Sequence, residues 1–129
     1  MDIVTFLLLR EPIVPRPKLV DIVFPLSLNP IVSILYEELE RDPEILRMKS
    51  EFREEFERRG FPRKAIDMAL RGAQGHCVRY ILGTRAPEEL RLMEADPEFR
   101  RTVMRYVFKN LSLKWAREWI EAMFEAILR

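Results

Sequence analysis

The placement of the prolines limits what this 129-residue chain can fold into. Proline fixes the backbone angle φ and lacks an N–H group, so a segment with several prolines cannot form one continuous helix. In the first turn of a helix the missing N–H group costs nothing. Residues 1–28 hold four of the nine prolines, and the other five are spread along the chain as far as Pro97. We therefore expect an extended segment first and a series of helices after it.

From residue 29 onward the sequence predicts a mainly α-helical bundle. Apolar residues recur at helical spacing, as in Ile45, Met48 and Phe52. Asp42 and Asp96 each precede a proline and are suitable N-caps, while Gly60 and Gly83 are candidate C-terminal stops. The predicted helices span residues 30–41, 43–59, 62–83, 87–94, 97–110 and 112–128.

The helix start Asp-Pro-Glu occurs twice, at residues 42–44 and 96–98. Each copy opens a helix that is followed by a predicted short turn and a second helix. Because Asp-Pro-Glu is a favourable helix start, one explanation is that it was simply used twice. The other explanation is a duplicated helical hairpin, which divides the bundle of residues 29–129 into two hairpin units at about 42–83 and 96–129.

Residues 1–28 form a separate Pro-rich arm in this prediction. Their apolar runs, such as 3–9 and 19–24, are too rich for a disordered tail. An extended arm with one or two short β-strands fits best, and it would lie on its own bundle or on a neighbouring copy. The run 3–9 stops at Arg10 and Asp2 precedes it, so we expect no export signal. No stretch reaches the ~20 apolar residues that span a bilayer, which predicts a cytoplasmic protein, or a virion component if it is viral.

Catalytic and metal-binding patterns are missing from the sequence. His76 and Cys77 are the single histidine and cysteine, too few for a zinc site. Neighbours on a helix point about 100° apart, so a buried cysteine beside a histidine is favoured over a nucleophile with its base. Gly72-Ala73-Gln74-Gly75 lacks the Lys and Ser/Thr of a phosphate-binding loop. We expect no enzyme activity, no cofactor, no metal and no small-molecule substrate.

Charge is distributed unevenly although the net charge is only +1. Residues 1–60 carry 9 basic and 12 acidic side chains, whereas residues 61–129 carry 13 basic and 9 acidic ones. Two predicted helices hold most of the basic residues of the second half. The candidate nucleic-acid contacts are Arg63, Lys64, Arg71 and Arg79 in the helix 62–83, and Arg100, Arg101, Arg105 and Lys109 in the helix 97–110.

Within the helix 97–110, Arg101, Arg105 and Lys109 form an i, i+4, i+8 stripe with steps of about 6 Å. Such a stripe can follow phosphates, and binding would then depend on salt because counterions are released. The alternative is a solvated surface whose arginines pair with glutamates. Since no base-reading module is present, we expect contact with the backbone and no sequence preference.

The last predicted helix, 112–128, is apolar around more than half of its circumference, so it is buried on two sides. It is either central in the bundle or part of a subunit interface, with Trp115, Trp119 and Phe124 as the candidate interface anchors. Arginine supplies 17 of the 22 basic residues, and Asn and Gln are scarce. This composition is typical of thermophiles, although an Arg-rich genome would produce the same bias.

With its Pro-rich arm, helical body and Arg-rich helix faces, the chain resembles the coat proteins of filamentous archaeal viruses. The resemblance implies a non-enzymatic structural protein that forms homo- or hetero-oligomers and wraps duplex nucleic acid. The near-zero net charge departs from what a DNA-wrapping subunit usually needs. Two alternatives stay open: a small helical subunit of an RNA-guided defence complex, and a regulatory adaptor that binds proteins only.

Overall fold

A computed structural model of the chain describes residues 30–128. The predicted arm of residues 1–28, its strands and the start of the first helix at Asn29 lie outside the described residues. Every element in the described part is helical, which confirms the mainly α prediction. The α-helices are α1 (Pro30–Arg41), α2 (Pro43–Arg58), α3 (Arg63–Thr84), α4 (Pro87–Ala95), α5 (Pro97–Val107) and α6 (Leu113–Leu128).

Both Asp-Pro-Glu segments begin helices, as predicted. The Asp42 carboxylate accepts a hydrogen bond from the backbone N–H of Ile45 at 3.1 Å. The Asp96 carboxylate accepts hydrogen bonds from the N–H groups of Glu98 and Phe99 at 3.0 and 3.2 Å. In each case the aspartate satisfies N–H groups that the first helical turn leaves without partners.

One of the two predicted glycine stops is confirmed and the other is wrong. Gly60 follows α2 with a φ of 90°, a conformation that favours glycine. Gly83 lies inside α3, which continues to Thr84. The chain becomes extended at Arg85 and Ala86 instead, because the residue before Pro87 is disfavoured in a helical conformation.

The turn predicted between residues 110 and 112 is replaced by a π-helical segment. This segment, Phe108–Ser112, joins α5 to α6, and the N–H of Leu113 donates to the carbonyl of Phe108. From α5 through this segment into α6, buried residues recur at intervals of four: Met104, Phe108, Ser112, Ala116 and Ile120. In a regular α-helix each interval of four advances about 40° around the axis. The wider π turn corrects this drift, so the buried side chains stay on one face.

The core lies between α3 and the helices around it. Its most extensive element contact is between α3 and α6, and aromatic rings extend it through Phe52, Phe56, Phe61 and Phe124. The charged side chains of α3 lie on the one face of this helix that stays exposed. Within residues 30–128, no helix combines the length and the apolar character that crossing a membrane requires.

Candidate nucleic-acid interface

The exposed face of α3 carries three cations, Lys64, Arg71 and Arg79, which we call the α3 stripe. Their separations of seven and eight residues place them within one side of the helix, about 10 and 12 Å apart along its axis. No carboxylate of the described residues lies within ion-pair distance of any of the three. Asp67, the acidic residue of α3, pairs with Arg53 of α2 at 3.4 Å.

The surface between these cations is mostly uncharged, and its one acidic side chain, Asp67, is 41% exposed and paired with Arg53. Met68 is 52% exposed, and Gly75 provides no side chain. The hydroxyl of Tyr36, from α1, lies 3.9 Å from the position that a Cβ on Gly75 would occupy. Tyr36 itself is 38% exposed. A ligand approaching the α3 stripe would therefore meet cations separated by a methionine, bare backbone and part of a tyrosine, with the paired Asp67 beside Lys64 and Arg71.

One flank of the α3 stripe is fixed by packing against α6. A Cβ on Gly72 would come within 2.5 Å of the Trp115 ring, so this glycine lets the indole lie directly on the helix backbone. The Trp115 ring stacks on His76 with centroids 5.9 Å apart. His76 also hydrogen-bonds Ser112 of the π segment, with 2.9 Å between Nδ1 and Oγ.

The second predicted basic face, on α5, is largely used inside the molecule. The Arg105 guanidinium binds the Asp42 carboxylate through two hydrogen bonds of 2.9 and 2.7 Å. Arg100 is 12% exposed and binds Glu38 at 3.2 Å, and it also donates to the carbonyls of Met93 and Glu94. These two arginines connect α5 to α1, α2 and α4.

The electrostatics of Asp42 fit this structural role. Burial raises the pKa of the Asp42 carboxyl, but hydrogen bonds from Arg105 and from the Ile45 N–H, with the charge of Arg105, outweigh burial. The net result is a pKa below the ordinary value of 3.8, so Asp42 is ionised at neutral pH. The charge of Arg105 is thereby matched, and the predicted i, i+4, i+8 stripe is interrupted at its centre.

The remaining predicted contacts are dispersed. Arg63 is exposed, and its guanidinium lies 3.7 Å from the Glu57 carboxylate. It directly precedes Lys64 in the chain and so points about 100° away from it. Arg101 lines an open cavity of about 380 Å³ together with Glu37 and Glu38. Lys109, in the π segment, is exposed and lines a separate cavity beside α2. The structure therefore brings together Lys64, Arg71 and Arg79 but not the other five.

The predicted interface residues Trp115, Trp119 and Phe124 are half-buried and contact other parts of the same chain. Trp119 stacks on Trp115 at 6.3 Å, and Phe124 contacts Phe61 at 4.5 Å. These contacts account for part of the wide apolar face of α6.

His76 and Cys77 are both buried in the core. Burial, with a smaller effect from the charge of Arg79, lowers the pKa of His76 from 6.5 to about 4. Burial also raises the pKa of the Cys77 thiol to about 12. Both side chains are therefore neutral at neutral pH, and the thiolate needed for nucleophilic attack is not formed. Residues 30–128 contain no group of three or more His, Cys, Asp or Glu side chains placed to hold a metal ion.

Sequence patterns missed two contributors to these sites. The sequence predicts Ser112 only as the first residue of the helix 112–128, although its hydroxyl is the partner of His76. Lys114 lines the same cavity as Lys109, but residues five apart lie about 140° apart in an α-helix. The π segment, which no sequence signal marked, is what changes this relation.

Comparisons with models of protein families, with curated proteins and with solved structures found no match for this chain.

Proposed function

We propose that this protein binds the sugar–phosphate backbone of nucleic acid through the α3 stripe. The observation that carries the proposal is that Lys64, Arg71 and Arg79 share one exposed helix face and have no carboxylate partner among residues 30–128. Elsewhere on the described surface, many exposed arginines contact carboxylates, as in Arg41–Glu37 at 3.1 Å and Arg59–Glu121 at 2.9 Å. Exposed Arg58 has no ion pair there either, but the α3 stripe places three such cations on one helix face.

The spacing of the cations suits a phosphate backbone. Each strand of duplex DNA carries one charge per 3.4 Å of helix axis. Cations about 10 and 12 Å apart along α3 are spaced widely enough for each to meet a different phosphate. Binding would release counterions, which supplies affinity that does not depend on sequence.

Base recognition is not part of the proposal. The uncharged positions between the cations are Met68 and Gly75, which offer no side-chain donor or acceptor. In addition, α1 and α6 both pack against α3, so α3 does not stand free as a helix that enters a major groove. These features support contact with the backbone and no sequence preference.

In the coat-like form of the proposal, copies of the chain also associate with each other. Its basis is the apolar, Pro-rich sequence of residues 1–28 together with the partly exposed Trp119 of α6. Electron microscopy and light scattering of the full chain, with and without duplex DNA, test this form. If the protein is strictly monomeric under both conditions, the coat-like role is contradicted, whereas binding to the nucleic-acid backbone is not.

Fluorescence anisotropy with a labelled DNA duplex at low salt tests backbone binding. Replacing Lys64, Arg71 and Arg79 together by alanine should weaken binding by about tenfold or more, since each lost phosphate contact removes a counterion-release contribution. All three side chains are exposed, so the fold should be retained, and circular dichroism checks this.

The matched control removes three other exposed arginines, Arg41, Arg47 and Arg91, which contact carboxylates on α1, α2 and α4. This variant has the same net charge as the α3 stripe variant and should bind within about threefold of wild type, because a surface pair contributes little. Equal weakening in both variants would mean that net charge matters and the α3 stripe does not.

A further inference from the structure

A second basic site lies away from the exposed face of α3, in a cleft between α2 and the end of the π segment. We call it the α2–π cleft, and its volume is about 320 Å³. Four cationic side chains line it: Arg47 and Arg117, and the lysines Lys109 and Lys114. Two carboxylates, Glu51 and Glu55, line it as well.

Each carboxylate of the cleft is paired with one of its arginines. Arg47 binds Glu51 at 2.5 Å and also contacts Glu44. The Arg117 guanidinium binds both oxygens of Glu55, at 2.5 and 2.8 Å. Lys109 and Lys114 have no carboxylate partner among residues 30–128, so their two ammonium groups are the unpaired cations of the cleft.

The π segment creates this pair of lysines. In an α-helix, residues five apart point about 140° away from each other. A π turn closes its hydrogen bond over five residues, as the Leu113 N–H to Phe108 carbonyl bond does here. Lys109 and Lys114 therefore come to the same side of the chain, and both line the cleft. Single π turns in α-helices are frequent at functional sites.

One wall of the cleft is apolar. It is formed by Met48 and Phe52, which are mostly buried in the core, and by the half-buried Leu113 at the start of α6. A site with two unpaired ammonium groups beside an apolar wall favours a ligand that combines an anion with an apolar group. Two adjacent lysines suit a doubly charged anion such as a phosphomonoester.

We propose that the α2–π cleft binds a small organic phosphate, with the phosphate between Lys109 and Lys114 and its apolar substituent against Phe52 and Leu113. This site is independent of nucleic-acid binding by the α3 stripe. The sequence led us to expect no small-molecule ligand. Sequence patterns gave no indication of the π turn, and the lysine pair of this site depends on that turn.

Titration of the full chain with phenyl phosphate, followed by amide chemical shifts in two-dimensional NMR, tests the site. Saturable shifts should appear at residues 109–114, with a dissociation constant in the millimolar range or below. Inorganic phosphate should bind at least about threefold more weakly because it cannot use the apolar wall. Phenol, which lacks the anion, should cause no saturable shift at these residues.

Lys109→Ala with Lys114→Ala should weaken phenyl phosphate binding by at least about tenfold, as expected for the loss of charged hydrogen bonds. Both residues are exposed, and a second variant with glutamine at both positions keeps most of each side chain. The matched control, Lys64→Ala with Arg71→Ala, removes the same charge from the α3 stripe and should leave phenyl phosphate binding unchanged.

Three results would contradict the proposal: no saturable binding of phenyl phosphate, equal binding in wild type and both lysine variants, or equal weakening in the control. Equal affinity for inorganic and phenyl phosphate would contradict the role of the apolar wall. Binding of the DNA duplex by the lysine variants separates the two proposals, since it depends on the α3 stripe and should persist.

Discussion

The carboxylate of Asp42 caps α2 and also binds the guanidinium of Arg105, which lies 63 residues later in the chain. Asp96 occupies the same place in the second Asp-Pro-Glu segment, and within residues 30–128 its carboxylate makes only the capping hydrogen bonds. The two aspartates are thus a natural pair for comparison: the same local motif with and without a long-range ion pair.

Asp96→Ala should lower the free energy of unfolding by about 1 kcal/mol, the usual effect of losing an N-cap. Asp42→Ala should lower it by about 2–3 kcal/mol, because it also removes the hydrogen bonds to Arg105 and leaves a buried N–H group less well satisfied. The loss stays modest because half-exposed Arg105 can be hydrated instead. Urea denaturation at pH 7 measures both values, and equal losses would contradict a stabilising role for the Asp42–Arg105 pair.

His76 is a second residue whose role is set by its surroundings. It is the single histidine of the chain, lies in the core beside Trp115 and Tyr80, and has a pKa lowered to about 4 by burial. Below the unfolded-state value of about 6.5, the unfolded chain takes up a proton that the folded chain does not. Stability is therefore lost as the pH falls from about 6.5 towards 4.

From pH 7 to pH 5 the free energy of unfolding should fall by about 2 kcal/mol. The His76→Gln variant lacks the imidazole that titrates in this range. Its free energy of unfolding should therefore vary much less with pH, even if the variant is less stable than wild type at pH 7. Urea denaturation at several pH values measures this difference. The same slope in wild type and variant would show that His76 is not held neutral by burial.

At the scale of elements, two glycines one turn apart in α3 face different neighbours. Gly72 lies under the Trp115 ring, whereas a Cβ on Gly75 would meet only the Tyr36 hydroxyl, at an ordinary contact distance of 3.9 Å. The contact at Gly72 determines how closely α6 approaches α3.

Gly72→Ala should destabilise the protein by about 1–3 kcal/mol, because the methyl group displaces Trp115 from its packed position. Gly75→Ala should stabilise it by about 0.5–1 kcal/mol, the usual gain for alanine over glycine inside a helix. Thermal unfolding followed by circular dichroism measures both variants. A stabilising effect at Gly72 would contradict the close packing of α6 on α3.

Sequence patterns predicted the elements where their cause is local. Helix starts at Pro43 and Pro97 follow from proline and its preceding aspartate, and both are confirmed. The π segment has a tertiary cause: it keeps Phe108 and Ser112 in the core, where Ser112 meets His76, 36 residues earlier. No periodicity within residues 97–128 marks such a contact, so a turn was predicted there instead.

At the scale of the whole molecule, the same distinction separates the two predicted basic faces. Helical spacing predicted the exposed cations of α3 because exposure there follows from the apolar stripe on its opposite side. It failed for Arg100 and Arg105, whose partners Glu38 and Asp42 lie 62 and 63 residues away. Long-range ion pairs of this kind depend on how the helices pack and cannot be derived from one helix alone.

The overall charge gives a further reason to test binding through its salt dependence. A chain with a net charge of +1 has no strong overall attraction to DNA, so any affinity must come from a local group of cations. The number of phosphates that the protein neutralises therefore indicates how many cations of that local group contact the DNA.

The decisive measurement is the slope of log association constant against log salt concentration for a DNA duplex. If Lys64, Arg71 and Arg79 each neutralise one phosphate, the wild-type slope includes a contribution of about −2.7. The variant with alanine at all three positions should have a slope shallower by about that amount. An unchanged slope in that variant, or no binding by the wild-type protein at low salt, would contradict nucleic-acid binding through the α3 stripe.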